Sequence, residues 1–385
     1  MKVLLVTPYS PLASHDHAAN DLAPFLVRAL SQVTDLHVYA AGQQHGALQT
    51  WRVEDVTYYA GSPVKLRQVD RFERYPYAAR ASWSRRSTRE AVAIAEALSP
   101  DILHAEYSQA AEPLLRAHHV APTSLTLHDL PGEAAVRPRD ELSAARYAMQ
   151  RLERAKTMRL REAIFEQTDA LFVFNERDKA KAARARGPVR VAPVGVTPPD
   201  QSWIGDRSHT AAFGGAMWRL ENEVTAVYLA REVMPLVRAQ IPDAQLRIFG
   251  ARPGPQVRAL ESHPEVTVVG EVDDYDAEFR HAAITLAPAM VDAGVLMKAL
   301  RAMAMGCPVV LNEASAGPIV GLESGAHALV GASAAEIARH VVELMNNREY
   351  AGTLGRAARD LVRRHFSWER TVEVYLAAWQ QLLRG

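Results

Sequence analysis

The sequence is poor in several features that mark whole classes of protein. Its 385 residues include one cysteine, Cys307, so neither an intramolecular disulfide nor a cysteine-rich zinc site can form. Lysine plus arginine and aspartate plus glutamate each total 44, and the resulting net charge of zero gives no general attraction to nucleic acid. No apolar run reaches the roughly 18 residues of a membrane-spanning helix. A globular protein that does not bind nucleic acid is expected.

Several catalytic patterns are missing as well. No Gly-x-Gly-x-x-Gly follows the first predicted strand and no P-loop occurs, which argues against a nicotinamide-dependent dehydrogenase. No two carboxylates stand out as an acid and nucleophile pair, so a hydrolase of that kind has no support. The amino terminus, MKVLLVTPYSP, lacks the length and cleavage pattern of a signal peptide. A reducing, cytoplasmic location is therefore the expectation.

The sequence does contain a regular alternation of strands and helices. Strands are predicted at residues 3–6, 36–40, 56–60, 102–105, 124–127, 170–174, 189–192, 211–213, 246–249, 266–269, 284–286, 309–311 and 328–330. The clearest helices are predicted at residues 17–30, 67–98, 140–167 and 176–186. Because the chain exceeds one ordinary core and residues 197–209 have the composition of a linker, two α/β domains with parallel sheets are predicted.

Residues 284–313 hold the most informative pattern. An apolar run is followed by a turn with Pro288 and Gly294, a helix that begins near Val295, and another buried strand. In a parallel sheet, this unit places the helix N-terminus at the carboxyl ends of the strands, where open α/β folds bind ligands. The helix dipole there favours an anion, and Lys298 in the first turn adds a full positive charge. A phosphate site is predicted, with a helix start that binds only water as the alternative.

Several segments of the chain together resemble one known family. They are FGGAMWRLENEVTAVYLAREVMPL, VTVVGEVDDYDAEFRHAAITLAPA, GVLMKALRAMAMGCPVV and HFSWERTVEVYLAAW, with a looser match in DILHAE and TLHD of the amino-terminal half. The chain resembles the retaining, nucleotide-sugar-dependent glycosyltransferases of the GT-B fold, and in particular glycosyltransferase family four, also called group 1. The resemblance implies two doubly wound, Rossmann-like domains that face each other across a cleft. It implies an acceptor-binding domain at residues 1–200, a nucleotide-sugar-binding domain at residues 201–366, and a last helix, residues 367–385, that packs back on the first domain.

The resemblance also implies a donor site in the second domain. Lys298 and Gly294 match the family's donor-phosphate site, and Lys298 is counted as catalytic because the leaving diphosphate gains negative charge as the glycosidic bond breaks. The other donor-binding residues implied are Gly215, Arg219, Val272, Val295 and Arg301. Arg219 has a second interpretation, as a solvated arginine of a loop.

Arg301 departs from the family pattern, which places a glutamate here to accept hydrogen bonds from the ribose of the nucleotide. A guanidinium group can only donate hydrogen bonds. Four interpretations stay open: the ribose is held differently, Arg301 contacts phosphate, the donor is unusual, or the chain has lost activity.

Two features of the first domain bear on the substrates. His128 ends a predicted strand and matches the family's histidine that faces the donor sugar, so it is predicted to be catalytic, with a structural histidine as the alternative. Ala18 and Ala19 stand where the family has paired glycines, so a close approach of the backbone to the substrates is disfavoured. The residues predicted as acceptor or loop contacts are His17, Asn20 and Glu106.

Three stretches suggest other ligands. Residues 15–17, His-Asp-His, could form a metal site, but a flexible surface loop is favoured. The run from Asp274 to Asp276 spells the Asp-x-Asp pattern of metal-dependent glycosyltransferases, and it is rejected because Asp276 is predicted to cap the next helix. The basic and aromatic residues 67–90 could touch anionic acceptors or a membrane surface, although a solvated helical face is favoured.

The combined prediction is a cytoplasmic, metal-independent, retaining glycosyltransferase that moves a sugar from a nucleoside diphosphate sugar to an acceptor hydroxyl. It needs no bound cofactor, and the nucleotide sugar is its co-substrate. The acceptor, whether a carbohydrate, a lipid-linked compound or a small molecule, stays open, as do the oligomeric state and a peripheral contact with the inner membrane face. The main alternative is a catalytically silent paralogue that binds or scaffolds another glycosyltransferase, and a sugar epimerase on the same fold is the third.

Overall fold

The structure is a computed structural model that describes residues 1–10, 18–41, 49–61, 74–133, 136–291 and 296–384. The chain divides into two compact units. Unit 1 comprises residues 1–134, 138–195 and 368–385, and unit 2 comprises residues 135–137 and 196–367. Each unit holds one sheet with helices packed against it.

The sheet of unit 1 is parallel except at one edge. Its strands are β1 (Lys2–Thr7), β2 (Asp35–Ala40), β3 (Gln49–Val53), β4 (Val56–Ala60), β5 (Ile102–Glu106), β6 (Thr123–Thr126), β7 (Ala170–Val173) and β8 (Val189–Val191). They lie in the order β3-β4-β2-β1-β5-β6-β7-β8, and only β3 and β4 pair antiparallel. The chain order reverses at β1, which has β2 on one side and β5 on the other. Such a reversal leaves a crevice at the carboxyl ends of the two strands.

Helices cover both faces of this sheet. The helices before the linker are α1 (Ala18–Ser31), α2 (Tyr77–Ser82), α3 (Arg85–Leu98), α4 (Ala111–Ala117), α5 (Ala144–Gln167) and α6 (Glu176–Lys181). Strand β1 shows why both faces are buried, because its apolar residues are consecutive rather than alternating. Val3 and Leu5 join the core under α1, whereas Leu4 and Val6 join the core under α3, α4 and α5.

The sheet of unit 2 is parallel throughout. Its strands are β9 (Arg207–Gly214), β10 (Gln245–Phe249), β11 (Val266–Gly270), β12 (Ala282–Leu286), β13 (Val309–Leu311) and β14 (Leu329–Val330). They lie in the order β11-β10-β9-β12-β13-β14. The chain order reverses between β9 and β12, so a crevice is expected at the carboxyl ends of these two strands.

Eight helices of unit 2 are seen among the described residues. They are α7 (Leu220–Tyr228), α8 (Met234–Arg238), α9 (Pro255–Arg258), α10 (Tyr275–His281), α11 (Met297–Met305), α12 (Glu313–Ala316), α13 (Ala334–Asn346) and α14 (Arg348–His365). One π-helical turn, Leu229–Val233, joins α7 to α8. Helices α7, α8 and α13 cover one face of the sheet, and α10 and α11 contact its central strands β9 and β12.

The last helix, α15 (Trp368–Leu382), belongs to unit 1. Its Val372, Tyr375 and Trp379 pack in one core with β1 and α1. Tyr375 is 1% exposed and Trp379 is 0% exposed. Because buried aromatic side chains carry much of the packing energy of a core, α15 is an integral part of unit 1.

Some elements differ from the sequence prediction. Strand β3 has no predicted counterpart, since a short edge strand is defined by its pairing with β4 rather than by its own pattern. The described part of the helix predicted over residues 67–98 is broken, because Ser84 caps α3 by accepting a hydrogen bond from the Ser87 amide. None of the helices in the described ranges is both long and apolar enough to cross a membrane.

Gly355 allows α14 to approach the end of α11, and this approach is testable. A Cβ atom at Gly355 would lie 1.9 Å from the carbonyl oxygen of Gly306, which ends α11 with a φ of 83°. We expect Gly355→Ala to lower the free energy of unfolding by about 1–3 kcal/mol, because backbone must move. Gly352→Ala in the same helix is the control. Its Cβ would meet the end of the flexible Arg356 side chain at 3.4 Å and the Trp203 ring at an ordinary contact distance of 3.8 Å, so this variant should be more stable by up to about 1 kcal/mol.

Urea unfolding followed by circular dichroism measures both variants. Equal effects of Gly355→Ala and Gly352→Ala on the unfolding free energy would contradict this packing.

Candidate active site

Glycines line the carboxyl edge of the unit 2 sheet where the chain order reverses. Strand β9 ends at Gly214, and Gly215 follows it. Gly250, after β10, has a φ of 125°, and a Cβ there would lie 1.9 Å from the carbonyl oxygen of Gly215. The Gly250 amide donates to the carbonyl of Gly270 over 2.6 Å. Three strand ends therefore approach one another through their backbones, an approach that larger residues at Gly215 and Gly250 would prevent.

Lys298 reaches from one side of the reversal to the other. It lies in the first turn of α11, after β12, and its Nζ donates to Asn222 Oδ1 over 2.6 Å. The same Nζ lies 4.2 Å from the ring centroid of Phe213 in β9. Asn222 belongs to the first turn of α7, and its Nδ2 donates to the Ala216 carbonyl over 3.0 Å. The helix starts that follow β9 and β12 are thus joined by the hydrogen bond between Lys298 and Asn222.

The charge of Lys298 differs from the sequence expectation of a full positive charge. Burial lowers the pKa of Lys298 to about 7, with Arg219 acting in the same direction and Glu221 against it. Burial thus disfavours the ammonium form of Lys298 in the free protein. An anion bound beside Nζ would favour the charged form and raise this pKa.

Arg219 lies in the same segment as Asn222. Its carbonyl accepts a hydrogen bond from the Asn222 amide over 3.1 Å, so it marks the start of α7. Its side chain is 43% exposed, and its Nη2 lies 3.5 Å from Glu221 Oε1. A donor contact by Arg219 stays a prediction, and the exposed side chain is also consistent with the solvated interpretation.

Arg301 is paired with a carboxylate from α10. It forms two hydrogen bonds with Asp276, through Nε to Oδ1 and through Nη2 to Oδ2, the latter over 3.2 Å. Its guanidinium carbon also lies 5.7 Å from the ring centroid of Tyr275. The prediction that Asp276 caps the helix is wrong, because α10 begins at Tyr275 and Asp274 caps it by accepting from the Ala277 amide over 2.9 Å.

Other predicted site residues are only partly visible. Val272 lies in the loop between β11 and α10 and is half-buried. Gly294, Val295, His15, Asp16 and His17 lie outside the described residues. Asn20 belongs to α1, but its side chain is outside the described part of the chain. The roles of these residues stay predictions.

In unit 1, His128 is held by contacts on three sides. It follows β6, and its Nε2 lies 2.6 Å from Glu106 Oε2 at the end of β5. The ring of Tyr107 stacks on the imidazole with 3.5 Å between centroids. Phe174 contacts it edge-on at 4.9 Å. The imidazole is therefore fixed in position and 15% exposed.

Glu106 is buried and accepts hydrogen bonds from neighbouring side chains of unit 1. Its Oε1 accepts hydrogen bonds from His104 Nε2 and the Tyr375 hydroxyl, each over 2.9 Å. Burial alone would raise the pKa of Glu106, but the hydrogen bonds from His104 and His128 outweigh it and lower the pKa to about 2. The sequence predicts Glu106 as an acceptor contact, whereas the structure shows both of its oxygens bonded to protein groups.

Two contributors were missed in the sequence. Asn222 could have been suspected, because it is a polar residue in the first turn of a helix that follows Gly214 and Gly215. Its pairing with Lys298, 76 residues away, has no local signal. Tyr375 has the spacing of an apolar residue in α15. Its hydrogen bond to Glu106 depends on where that helix packs, which the local sequence does not indicate.

The carboxyl-terminal part of the chain matches a known family. Residues 208–347, which lie in unit 2, match the family model described as glycosyl transferases group 1. This segment of unit 2 is therefore similar to the group 1 glycosyltransferases. The resemblance to the group 1 glycosyltransferases that the sequence indicated is confirmed, whereas the family number, four, stays a prediction. No curated protein sequence matches the chain.

Solved structures of glycosyltransferases share the fold of the whole chain. Sucrose-phosphate synthase from Thermosynechococcus elongatus is 16% identical with a TM-score of 0.71, over 100% of both chains. Trehalose 6-phosphate synthase from Burkholderia multivorans is 14% identical with a TM-score of 0.66, over 100% of this chain and 97% of that one. Anabaena HepE in complex with UDP is 12% identical with a TM-score of 0.62, over 100% and 99%. The predicted GT-B fold, with two Rossmann-like domains, is confirmed.

The lowered pKa of Lys298 can be tested directly. The chain has only six lysines, so ¹³C,¹⁵N-lysine labelling should give a resolvable NMR spectrum. We expect one lysine to titrate near pH 7, because burial disfavours its ammonium form. This transition should be missing in Lys298→Met. Lys298 titrating near its ordinary pKa, about 10.4, would show that it is solvated.

Proposed function

We propose that the chain is a retaining, metal-independent glycosyltransferase that moves a sugar from a nucleoside diphosphate sugar to an acceptor hydroxyl. The observation that carries this proposal is the contact of Lys298 with Asn222 at the strand reversal of unit 2. The match of residues 208–347 to the group 1 glycosyltransferases supports it.

The chemistry of the donor explains why a partly desolvated lysine suits this position. When the glycosidic bond breaks, the departing diphosphate gains negative charge, and a fixed cation stabilises that charge more in the transition state than in the ground state. Lys298 is fixed by Asn222 and by the Phe213 ring. Because the pKa of Lys298 is low in the free protein, the binding of a diphosphate would raise it and so favour the protonated, positively charged lysine.

The contacts of the Asp-x-Asp run support catalysis without a metal. Asp274 is used as the cap of α10, and Asp276 pairs with Arg301. Both carboxylates thus have structural partners, and Lys298 offers the positive charge that a metal ion supplies in other transferases.

Fold neighbours support the donor class and the stereochemistry. HepE has been solved in complex with UDP and with UDP-glucose. A trehalose-6-phosphate synthase with this fold, 12% identical with a TM-score of 0.61, is described as an enzyme of glycosyl transfer with retention. We extend both properties to this chain as part of the proposal, with His128 as the residue that hydrogen-bonds a substrate hydroxyl.

Arg301 bears on the alternative of a catalytically silent paralogue. Its pairing with Asp276 places a carboxylate next to the guanidinium, so this part of α11 is not purely cationic. Each Asp276 oxygen accepts from Arg301 and has a second lone pair, so the pair includes a hydrogen-bond acceptor even though the arginine itself can only donate. Because this acceptor is present, an active enzyme is preferred over a catalytically silent paralogue.

Nucleotide binding tests the proposal. We expect the wild-type chain to bind at least one of UDP, GDP, ADP and dTDP in isothermal titration calorimetry at pH 7. Lys298→Met should weaken that binding by about 10- to 100-fold, because a charge-assisted contact to phosphate contributes about 1.5–3 kcal/mol. Arg339→Met, which removes an exposed positive charge on α13 of the same unit, is the matched control and should bind as the wild type does.

Two results would count against the proposal. If no nucleoside diphosphate binds the wild-type chain, the silent paralogue becomes the better account. If Lys298→Met and Arg339→Met bind equally well, the donor phosphate does not lie at Lys298.

A further inference from the structure

A series of hydrogen bonds connects Trp379 of α15 to His128, and the chemistry of its members determines which atoms donate. Trp379 Nε1 is a donor only, and it donates to Ser124 Oγ over 2.8 Å. The Ser124 hydroxyl proton is then available for His104 Nδ1, which lies 2.9 Å away. Because the Glu106 carboxylate can only accept hydrogen bonds, His104 carries a proton on Nε2, the nitrogen that faces Glu106 Oε1. All four groups are buried, so no water substitutes for these partners.

A second donor reaches the same carboxylate oxygen. Burial and the neighbouring Glu106 carboxylate raise the pKa of Tyr375 well above its ordinary value, so its hydroxyl keeps its proton. That hydroxyl lies 2.9 Å from Glu106 Oε1 and 2.5 Å from the Thr126 hydroxyl. Oε1 thus accepts from His104 and Tyr375, and Oε2 faces His128 Nε2.

We propose that Glu106 is a positioning residue that fixes His128 with a proton on Nε2 and thereby leaves Nδ1 as the nitrogen that meets the substrate. A carboxylate can only accept hydrogen bonds, so the 2.6 Å contact requires a proton on the His128 nitrogen that faces it. The stacked ring of Tyr107 and the edge of Phe174 keep the imidazole from turning over. The catalytic meaning of this arrangement rests on the proposed function, but the protonation pattern does not.

Replacing the Glu106 carboxylate by an amide should move the His128 proton from Nε2 to Nδ1. In Glu106→Gln, the amide oxygen is expected to take the place of Oε1, because two donors, from His104 and Tyr375, point at that position. The amide NH₂ then faces His128 and donates, so His128 Nε2 must become the acceptor. The imidazole proton moves to Nδ1, and the nitrogen offered to the substrate changes from acceptor to donor.

The experiment is two-bond ¹H–¹⁵N correlation NMR on ¹⁵N-histidine-labelled full-length chain above pH 7.5, with His128 assigned by its loss in His128→Asn. We expect wild-type His128 to carry its proton on Nε2 and Glu106→Gln to carry it on Nδ1. Glu112→Gln is the matched control. Glu112 is 3% exposed in the same unit and bonds Arg80 and Thr88, so its variant should leave the His128 pattern unchanged.

The outcomes separate this inference from the proposed function. A proton on Nδ1 in the wild-type chain would overturn the inference even if Glu106→Gln fails to fold, and so would an unchanged His128 pattern in a folded Glu106→Gln. If the wild-type chain transfers sugar, Glu106→Gln should lower kcat by about 10- to 100-fold, with the affinity for nucleoside diphosphate unchanged, because unit 2 binds it. A chain that binds no nucleotide but shows the Nε2 proton and its reversal would refute the proposed function alone.

Discussion

The contact between the Lys298 ammonium and the Asn222 side-chain oxygen is the interaction on which the account of unit 2 depends. It exists because the chain order reverses between β9 and β12, so that the loops after these two strands lie at one edge of the sheet. The glycines that follow β9 and β10 let neighbouring groups approach the backbone closely, and Gly270, at the end of β11, has open space beside it. A cation that is costly to bury is thus held where an anion can repay its desolvation, which is what a diphosphate site needs.

Unit 1 has a similar reversal of strand order, but the buried charge beside it is an anion instead of a cation. Its chain order reverses at β1, and the carboxylate of Glu106 stands at the end of the neighbouring strand β5. This buried anion is compensated by hydrogen bonds from His104, His128 and Tyr375. Lys298 in unit 2 donates to the neutral side chain of Asn222, and burial lowers its pKa. The contrast explains why Glu106 acts on a protein side chain while Lys298 is suited to act on a ligand.

The sequence predicts much of the fold, because consecutive apolar runs and helical spacing mark buried parallel strands and the helices between them. It does not reveal β3, whose pairing partner defines it, or the break before α3, which depends on the Ser84 cap. Lys298 and His128 were found through local pattern and family resemblance. The partners of these residues, Asn222 and Glu106, depend on contacts between strands far apart in sequence. The helix cap was assigned to Asp276 rather than Asp274 because the two aspartates offer the same local signal, and only the pairing with Arg301 separates them.

Turnover of a nucleotide sugar tests the central claim most directly. The wild-type chain would be incubated without acceptor with a panel of nucleoside diphosphate sugars, and the release of nucleoside diphosphate and free sugar would be followed by mass spectrometry. The account predicts slow hydrolysis of at least one donor and a loss of about 100-fold or more in Lys298→Met, since the cation acts on the departing diphosphate. Hydrolysis at the same rate in both proteins, or no donor consumed by the wild-type chain, would contradict it.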